Sequence, residues 1–121
     1  MATCILIVDD QEELRRLVRM TLAQGDYELY EADTGVRALQ CLAMVKPELV
    51  VLDAMMPGDM DGFQVCDAIK HQMELNIKVV MLSAKGQQAD LEEGRKVGAD
   101  AYLVKPFSPL ELIKIVEELL A

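Results

Sequence analysis

Five short apolar runs alternate strictly with five turn-bounded amphipathic segments along the 121 residues, and this alternation leaves few folds open. The runs are Cys4–Val8, a second around Tyr27–Glu31, Leu49–Leu52 ending in Asp53, Lys78–Leu82 ending at Ser83, and Ala101–Val104. Four of the five lack a polar face, so helices must cover both sides of the sheet they form. Gln11–Ala23 places Leu14, Leu17, Val18, Thr21 and Leu22 on one helical face, and Gly25 ends it. Asp33 or Thr34 caps a second helix reaching about Val45, closed by Pro47. A third runs from Asp61 or Gly62 to about Met73, with Phe63, Cys66, Ile69 and Met73 as its apolar side. A fourth lies near Gln87–Val97, weakened by Gly94 inside it and Gly98 after it. Ser108 caps the last, with Pro109 at its first position. Leu112, Ile113, Val116, Leu119 and Leu120 face inward there, while Leu110 and Ile115 look more exposed. The expectation is one α/β domain over residues 1–121, a doubly wound five-stranded parallel sheet with right-handed crossovers and five helices on both faces.

Charge narrows the function. Twelve basic and 21 acidic residues give a net charge of −9, whereas nucleic-acid binding needs Lys and Arg to neutralise phosphates. A basic or amphipathic partner helix fits better. Cys4, Cys41 and Cys66 form no Cys-x-x-Cys and read as small thiols of a reducing cytosol rather than a disulfide or metal set. The apolar run before Asp9 is too short for a signal peptide, and no run reaches membrane-spanning length. A cytoplasmic protein is expected, with neither membrane nor direct nucleic-acid binding.

Polar residues close one strand after another: Asp9 and Asp10 the first, Asp53 the third, Ser83 the fourth, Lys105 the fifth. In a parallel sheet these are all carboxyl ends, on one edge. Ligands of open α/β sheets bind there, where the strand order reverses. In the order 2-1-3-4-5, strands one and three are neighbours at that point, which clusters Asp9, Asp10 and Asp53. Three close carboxylates repel unless a counterion joins them. Mg²⁺ suits such an oxygen-only set better than Zn²⁺, since no Cys or His lies near these loops. A cation and Lys105 beside a carboxylate make a place for a phosphoryl group, with the Ser83 hydroxyl as a donor and Asp53 as nucleophile. The Lys105-Pro106 bond is a candidate for a cis peptide. His71, the only histidine, falls late in the third helix and reads as a surface residue.

The set Asp9-Asp10, Asp53-Ala54-Met55-Met56-Pro57, Asp61-Gly62, Ser83-Ala84 and Lys105-Pro106 resembles that of response-regulator receiver domains of two-component signalling, over essentially the whole chain. The resemblance implies a flavodoxin-like receiver fold and a Mg²⁺-dependent phosphoacceptor at Asp53. It also implies Mg²⁺ ligation by Asp10, Asp53 and the Met55 backbone carbonyl, with Asp9 acting through water. Ser83 and Lys105 would contact phosphoryl oxygens. Tyr102 matches the aromatic switch position, which follows the hydroxyl residue inward and alters the face of the fourth helix, fifth strand and fifth helix. A sensor histidine kinase or phosphotransfer protein would supply the phosphoryl group, acetyl phosphate being a small substitute. A downstream output domain or protein would read the result, and a homodimer is a candidate state. The chain is then a stand-alone receiver or a piece of a longer regulator or hybrid kinase. One departure stands out: three residues, Gly58-Asp59-Met60, rather than two separate Pro57 from Asp61-Gly62, and Asp59 adds charge near the mouth. Met55 and Lys85 match positions held to tune water access, which predicts slower self-hydrolysis than in a Met55→Asn variant.

Other readings compete. Asp9-Asp10 could be ordinary helix capping, Lys105-Pro106 a simple turn, Tyr102 a half-buried strand aromatic, and Leu110 with Ile115 either a dimer surface or stray apolar residues. The run Glu92-Glu93-Gly94-Arg95-Lys96 reads as a solvated helix face. A phosphohydrolase of the haloacid-dehalogenase type would want an acid where Met55 stands, so no turnover of a separate substrate is expected. A flavin or nucleotide module would want a Gly/Ser/Thr loop where Asp9-Asp10 stands. The remaining alternative is a degenerate receiver acting as a phosphorylation-independent binding module, although no acid, hydroxyl or lysine is missing.

Overall fold

A computed structural model of the chain describes residues 2–58, 60–73, 75–84 and 88–121. Among them, five strands form one parallel sheet in the order β2-β1-β3-β4-β5. The strands are β1 (Thr3–Val8), β2 (Tyr27–Ala32), β3 (Leu49–Asp53), β4 (Lys78–Ser83) and β5 (Ala101–Val104). The helices are α1 (Glu12–Leu22), α2 (Gly35–Val45), α3 (Gly62–Asp67), α4 (Gln88–Val97) and α5 (Pro109–Leu120). Successive strand side chains point to opposite faces, which splits the core in two. Leu6, Val8, Val50, Leu52, Val79 and Met81 pack with Ala38 and Leu42 of α2, Phe63, Val65 and Cys66 of α3, and Val97 of α4. Ile5, Ile7, Leu49, Val51, Val80 and Leu82 pack on the other face with Val18 and Leu22 of α1 and Leu112 and Val116 of α5. Buried on both sides, β3 is apolar throughout except for its terminal Asp53.

Local signals fix the helix ends. Thr34 rather than Asp33 caps α2, its hydroxyl accepting from the Arg37 N–H at 3.1 Å, and Lys46 leaves the helix at φ 47° ahead of Pro47. Asp61 with Gln64, and Ser108 with Glu111, form capping boxes at α3 and α5. Gly94 sits inside α4 because the Tyr102 ring lies against it; a Cβ there would come within 2.8 Å of that ring. Gly62 is more constrained still, since a Cβ would run into the Asp53 carbonyl oxygen.

Four expectations need correcting. The third helix does not stay regular to Met73: after Asp67 it widens into a π-helical turn, Ala68–Gln72, closed by the Met73 N–H on the Ala68 carbonyl. The added residue per turn rotates Met73 off the apolar side, leaving it 42% exposed. Leu17 is 43% exposed, because the buried stripe of α1 is carried by Val18, Thr21 and Leu22. On α5, Ile115 is half-buried against the core rather than exposed, whereas Leu110 is exposed. Ile113 is half-buried but does not join the core, which α5 reaches through Leu112 and Val116. The start of the fourth helix at Gln87 lies outside the described residues.

Candidate functional site

The carboxyl ends of β1, β3, β4 and β5 meet at one edge, as parallel pairing requires. Adjacent registers pair Val8 with Leu52, Asp53 with Leu82, and Ser83 with Val104. Beyond the last paired residues the backbone stays tied: the Ala54 N–H donates to the Leu82 carbonyl at 2.7 Å, and the Lys105 N–H to the Ser83 carbonyl at 2.6 Å. The Gly62 N–H donates to the Ala54 carbonyl at 2.9 Å, folding the loop after β3 back onto the strand end. Only a residue without a Cβ allows that approach, a physical reason for the Asp-Gly pair. The longer loop before it does not disturb this contact. Its Asp59 lies outside the described residues, as does Lys85.

Asp9, Asp10 and Asp53 each present a carboxylate oxygen, all within 4.8 Å of one another. Asp9 and Asp53 are buried, at 2% and 4% exposure, while Asp10 is exposed. The Lys105 ammonium donates to Asp53 at 2.9 Å and to Asp9 at 3.4 Å. Asp9 does take the Gln11 N–H ahead of α1, at 2.8 Å, but the N-cap residue itself is Gln11. A capping role therefore accounts for one oxygen of Asp9 and leaves Asp10 unexplained. The Lys105–Pro106 bond is cis.

Electrostatics set the character of the cluster. Burial pushes the Asp53 carboxyl from its usual 3.8 up to about 6; Lys105 pulls the other way, Asp9 adds repulsion, and the Met55 N–H relieves a little. Burial also raises Asp9, against the Gln11 N–H and Lys105. One ammonium thus undercompensates three acids. The donors are all hard oxygens and the deficit is positive charge, so the site fits Mg²⁺ and offers nothing to a soft metal.

Ser83 closes β4 at 1% exposure, one residue beyond Leu82, the register partner of Asp53. Tyr102 is half-buried on β5, its hydroxyl oxygen out of solvent and its ring between Gly94 and the core. Met55 is 62% exposed, at the mouth. His71 is at the surface, its ring on Asp67 at 2.8 Å. Cys4 and Cys66 are buried, the Cys66 thiol pushed up to about 12 mainly by burial, and all three cysteines are free thiols. One residue that sequence reasoning missed is Arg15: its guanidinium donates to the Asp9 carbonyl at 2.8 Å. Its spacing from Asp9 carried no signal, because Arg on the flank of an amphipathic helix looks like any solvated residue.

Known proteins share this sequence pattern and fold. Residues 5–117 match the family model described as the response regulator receiver domain. The transcriptional regulatory protein ResD of Bacillus subtilis is 42% identical over 118 residues, which cover 98% of this chain and 48% of that protein. The probable transcriptional regulator ycf27 of Cyanophora paradoxa is 43% identical over 96% of this chain and 47% of its own length. The chain thus spans about half the length of the curated relatives it matches. Among solved structures, the Vibrio cholerae chemotaxis protein CheY4 superposes with a TM-score of 0.90 at 31% identity, covering 98% of this chain and 99% of that one. The receiver domain of Francisella response regulator 1452 gives 0.88 at 31% identity, over 97% and 95%.

Proposed function

The chain belongs to the response regulator receiver family, and from that premise we propose that it is a signalling switch phosphorylated on Asp53. The observation that carries the reading is a buried carboxylate held 2.9 Å from an ammonium within a three-acid cluster. An Asp53 oxygen forms the new O–P bond while the donor's P–N bond, in a histidine kinase phosphohistidine, or P–O bond, in acetyl phosphate, breaks. The leaving group departs with the bonding pair. Asp10, Asp53 and the Met55 carbonyl would hold Mg²⁺, with Asp9 acting through water. The ion would supply positive charge that the carboxylates and phosphoryl oxygens need. Lys105 stands ready to neutralise a phosphoryl oxygen, and Ser83 to donate to another.

Water attack on the acyl phosphate returns the carboxylate and inorganic phosphate, so the mark is temporary and no separate substrate is turned over. Readout would fall to α4, β5 and α5, with Tyr102 as the moving aromatic and Val104 and Leu110 as exposed apolar contacts. The partners are a histidine kinase or phosphotransfer protein and an output domain or protein, met in the cytoplasm. The relatives' regulatory role in transcription suits such an output. Residues 1–121 would act as one receiver domain.

Intact-mass measurement after acetyl phosphate treatment tests the reading. Wild type should gain a single phosphoryl group in Mg²⁺ and none with chelator, and Asp53→Asn should gain none. An equal gain in the variant would remove Asp53 as the acceptor. No gain in wild type would leave a phosphorylation-independent binding module.

A further inference from the structure

Arg15 reaches out of α1 in two directions. One guanidinium N–H donates to the Asp9 backbone carbonyl at 2.8 Å, and Nε donates to Glu31 of β2 at 3.0 Å. The second oxygen of Glu31 accepts from Arg19 Nε at 2.6 Å, and Arg19 also donates to the Leu29 carbonyl at 3.0 Å. Glu31 is thus clamped from both sides, and the two arginines hold its carboxyl below the usual range, Arg19 foremost. The Arg15 side chain is 16% exposed, well covered for a charged residue so near the start of a surface helix.

We infer that Arg15 is a positioning residue for the metal site, orienting Asp10 by pinning the Asp9–Asp10 peptide through the Asp9 carbonyl. The peptide unit is planar, so fixing its carbonyl oxygen fixes its rotation about the line between the Asp9 and Asp10 Cα atoms. That rotation sets where the Asp10 side chain leaves the backbone. Asp9 needs no such help: its N–H is held by the Ala32 carbonyl at 3.2 Å and its side chain by Gln11 and Lys105. Asp10 is exposed, and the backbone beside it is the means of aiming it. The planar guanidinium can hold Glu31 and the carbonyl at once, in fixed directions; a lysine ammonium cannot reproduce that fork. Groups that orient metal ligands commonly govern affinity by 10-fold or more.

This inference rests on the Mg²⁺ reading above, and calorimetric titration of Mg²⁺ into the folded proteins separates the two. Arg15→Gln should weaken Mg²⁺ binding about tenfold, with Arg15→Lys recovering only part. Glu31→Gln should weaken it by a smaller factor, because the guanidinium keeps its carbonyl but loses its anchor. Arg19→Gln should weaken it least. Each variant's melting temperature in chelator is measured alongside, since a purely structural pin would lower melting and leave affinity at the wild-type value. That last pattern, in Arg15→Gln or, should that variant not fold, in Glu31→Gln, overturns the positioning role while sparing the Mg²⁺ reading. A wild type that binds no Mg²⁺ overturns both.

Discussion

Removing the Asp53 charge should stabilise the metal-free protein, and do so more at neutral pH than in acid. In the folded chain the carboxyl titrates at about 6, against 3.8 ordinarily, because burial outweighs the pull of Lys105. Below pH 3.8 both folded and unfolded chains carry the proton, and nothing is lost. As pH rises, the unfolded chain releases its proton first, so folding stability falls until the folded group has also ionised, above about 6. The full loss is about 3 kcal/mol by pH 7.5 and roughly half of that at pH 5. Asp53→Asn keeps the shape and removes the titration, so the variant should exceed wild type by those amounts in chelator. At about 4 °C per kcal/mol for a chain of this size, the melting gap is about 12 °C at pH 7.5 and 6 °C at pH 5. Glu31, held low by the arginines, titrates in both proteins and cancels. The repulsion between Asp9 and Asp53 is already contained in the raised Asp53 value and adds nothing further to the gap. Differential scanning calorimetry in EDTA reads it directly. A gap equal at the two pH values, or a variant less stable at pH 7.5, would refute the claim that burial of an ionised Asp53 strains this site.

Mg²⁺ should offset that strain: at ten times its dissociation constant the ion adds about 1.4 kcal/mol to wild type, or roughly 6 °C of melting temperature. Asp10→Ala should lose most of this shift, and a full shift in that variant would place the ion elsewhere. The phosphorylated wild type should hydrolyse more slowly than Met55→Asn, because the exposed thioether beside the site cannot orient water as an amide can. A decay time course by intact mass checks this, and faster loss in wild type would contradict it.

What the sequence made legible was the part governed by short-range rules. Alternating apolar runs announced the strands, capping residues announced the starts of α3 and α5, and strand-terminal acids announced the edge where three carboxylates and an ammonium gather. Each of these signals sits within a few residues of its consequence. The misplacements came where packing decides. Nothing in the run from Phe63 to Met73 distinguishes a regular helix from one that opens into a π-helical turn. That turn accompanies Lys70 reaching the Ile77 carbonyl and Asp100, each at 2.7 Å, partners distant in sequence and supplied by the tertiary fold. Ile115 turned inward for a similar reason, since the neighbouring helix α1 and the sheet decide which flank of α5 is covered.

The same distinction explains why the acids were readable and their support was not. A carboxylate at the end of a buried strand is costly unless something justifies it, so Asp53 draws attention from sequence alone. Gly62 and Arg15 carry no such penalty. A glycine after an aspartate looks like a helix start, and an arginine on an exposed helical flank looks like solubility. Their meaning appears only when the loop after β3 folds against the Asp53 carbonyl and when α1 lies beside β2. The chemistry of this edge is therefore written in residues that are expensive to bury, whereas its geometry is set by residues that are cheap anywhere else. On the proposed Mg²⁺ reading, a variant of the second kind such as Arg15→Gln should leave a folded protein with all its acids present and a poorer grip on the ion.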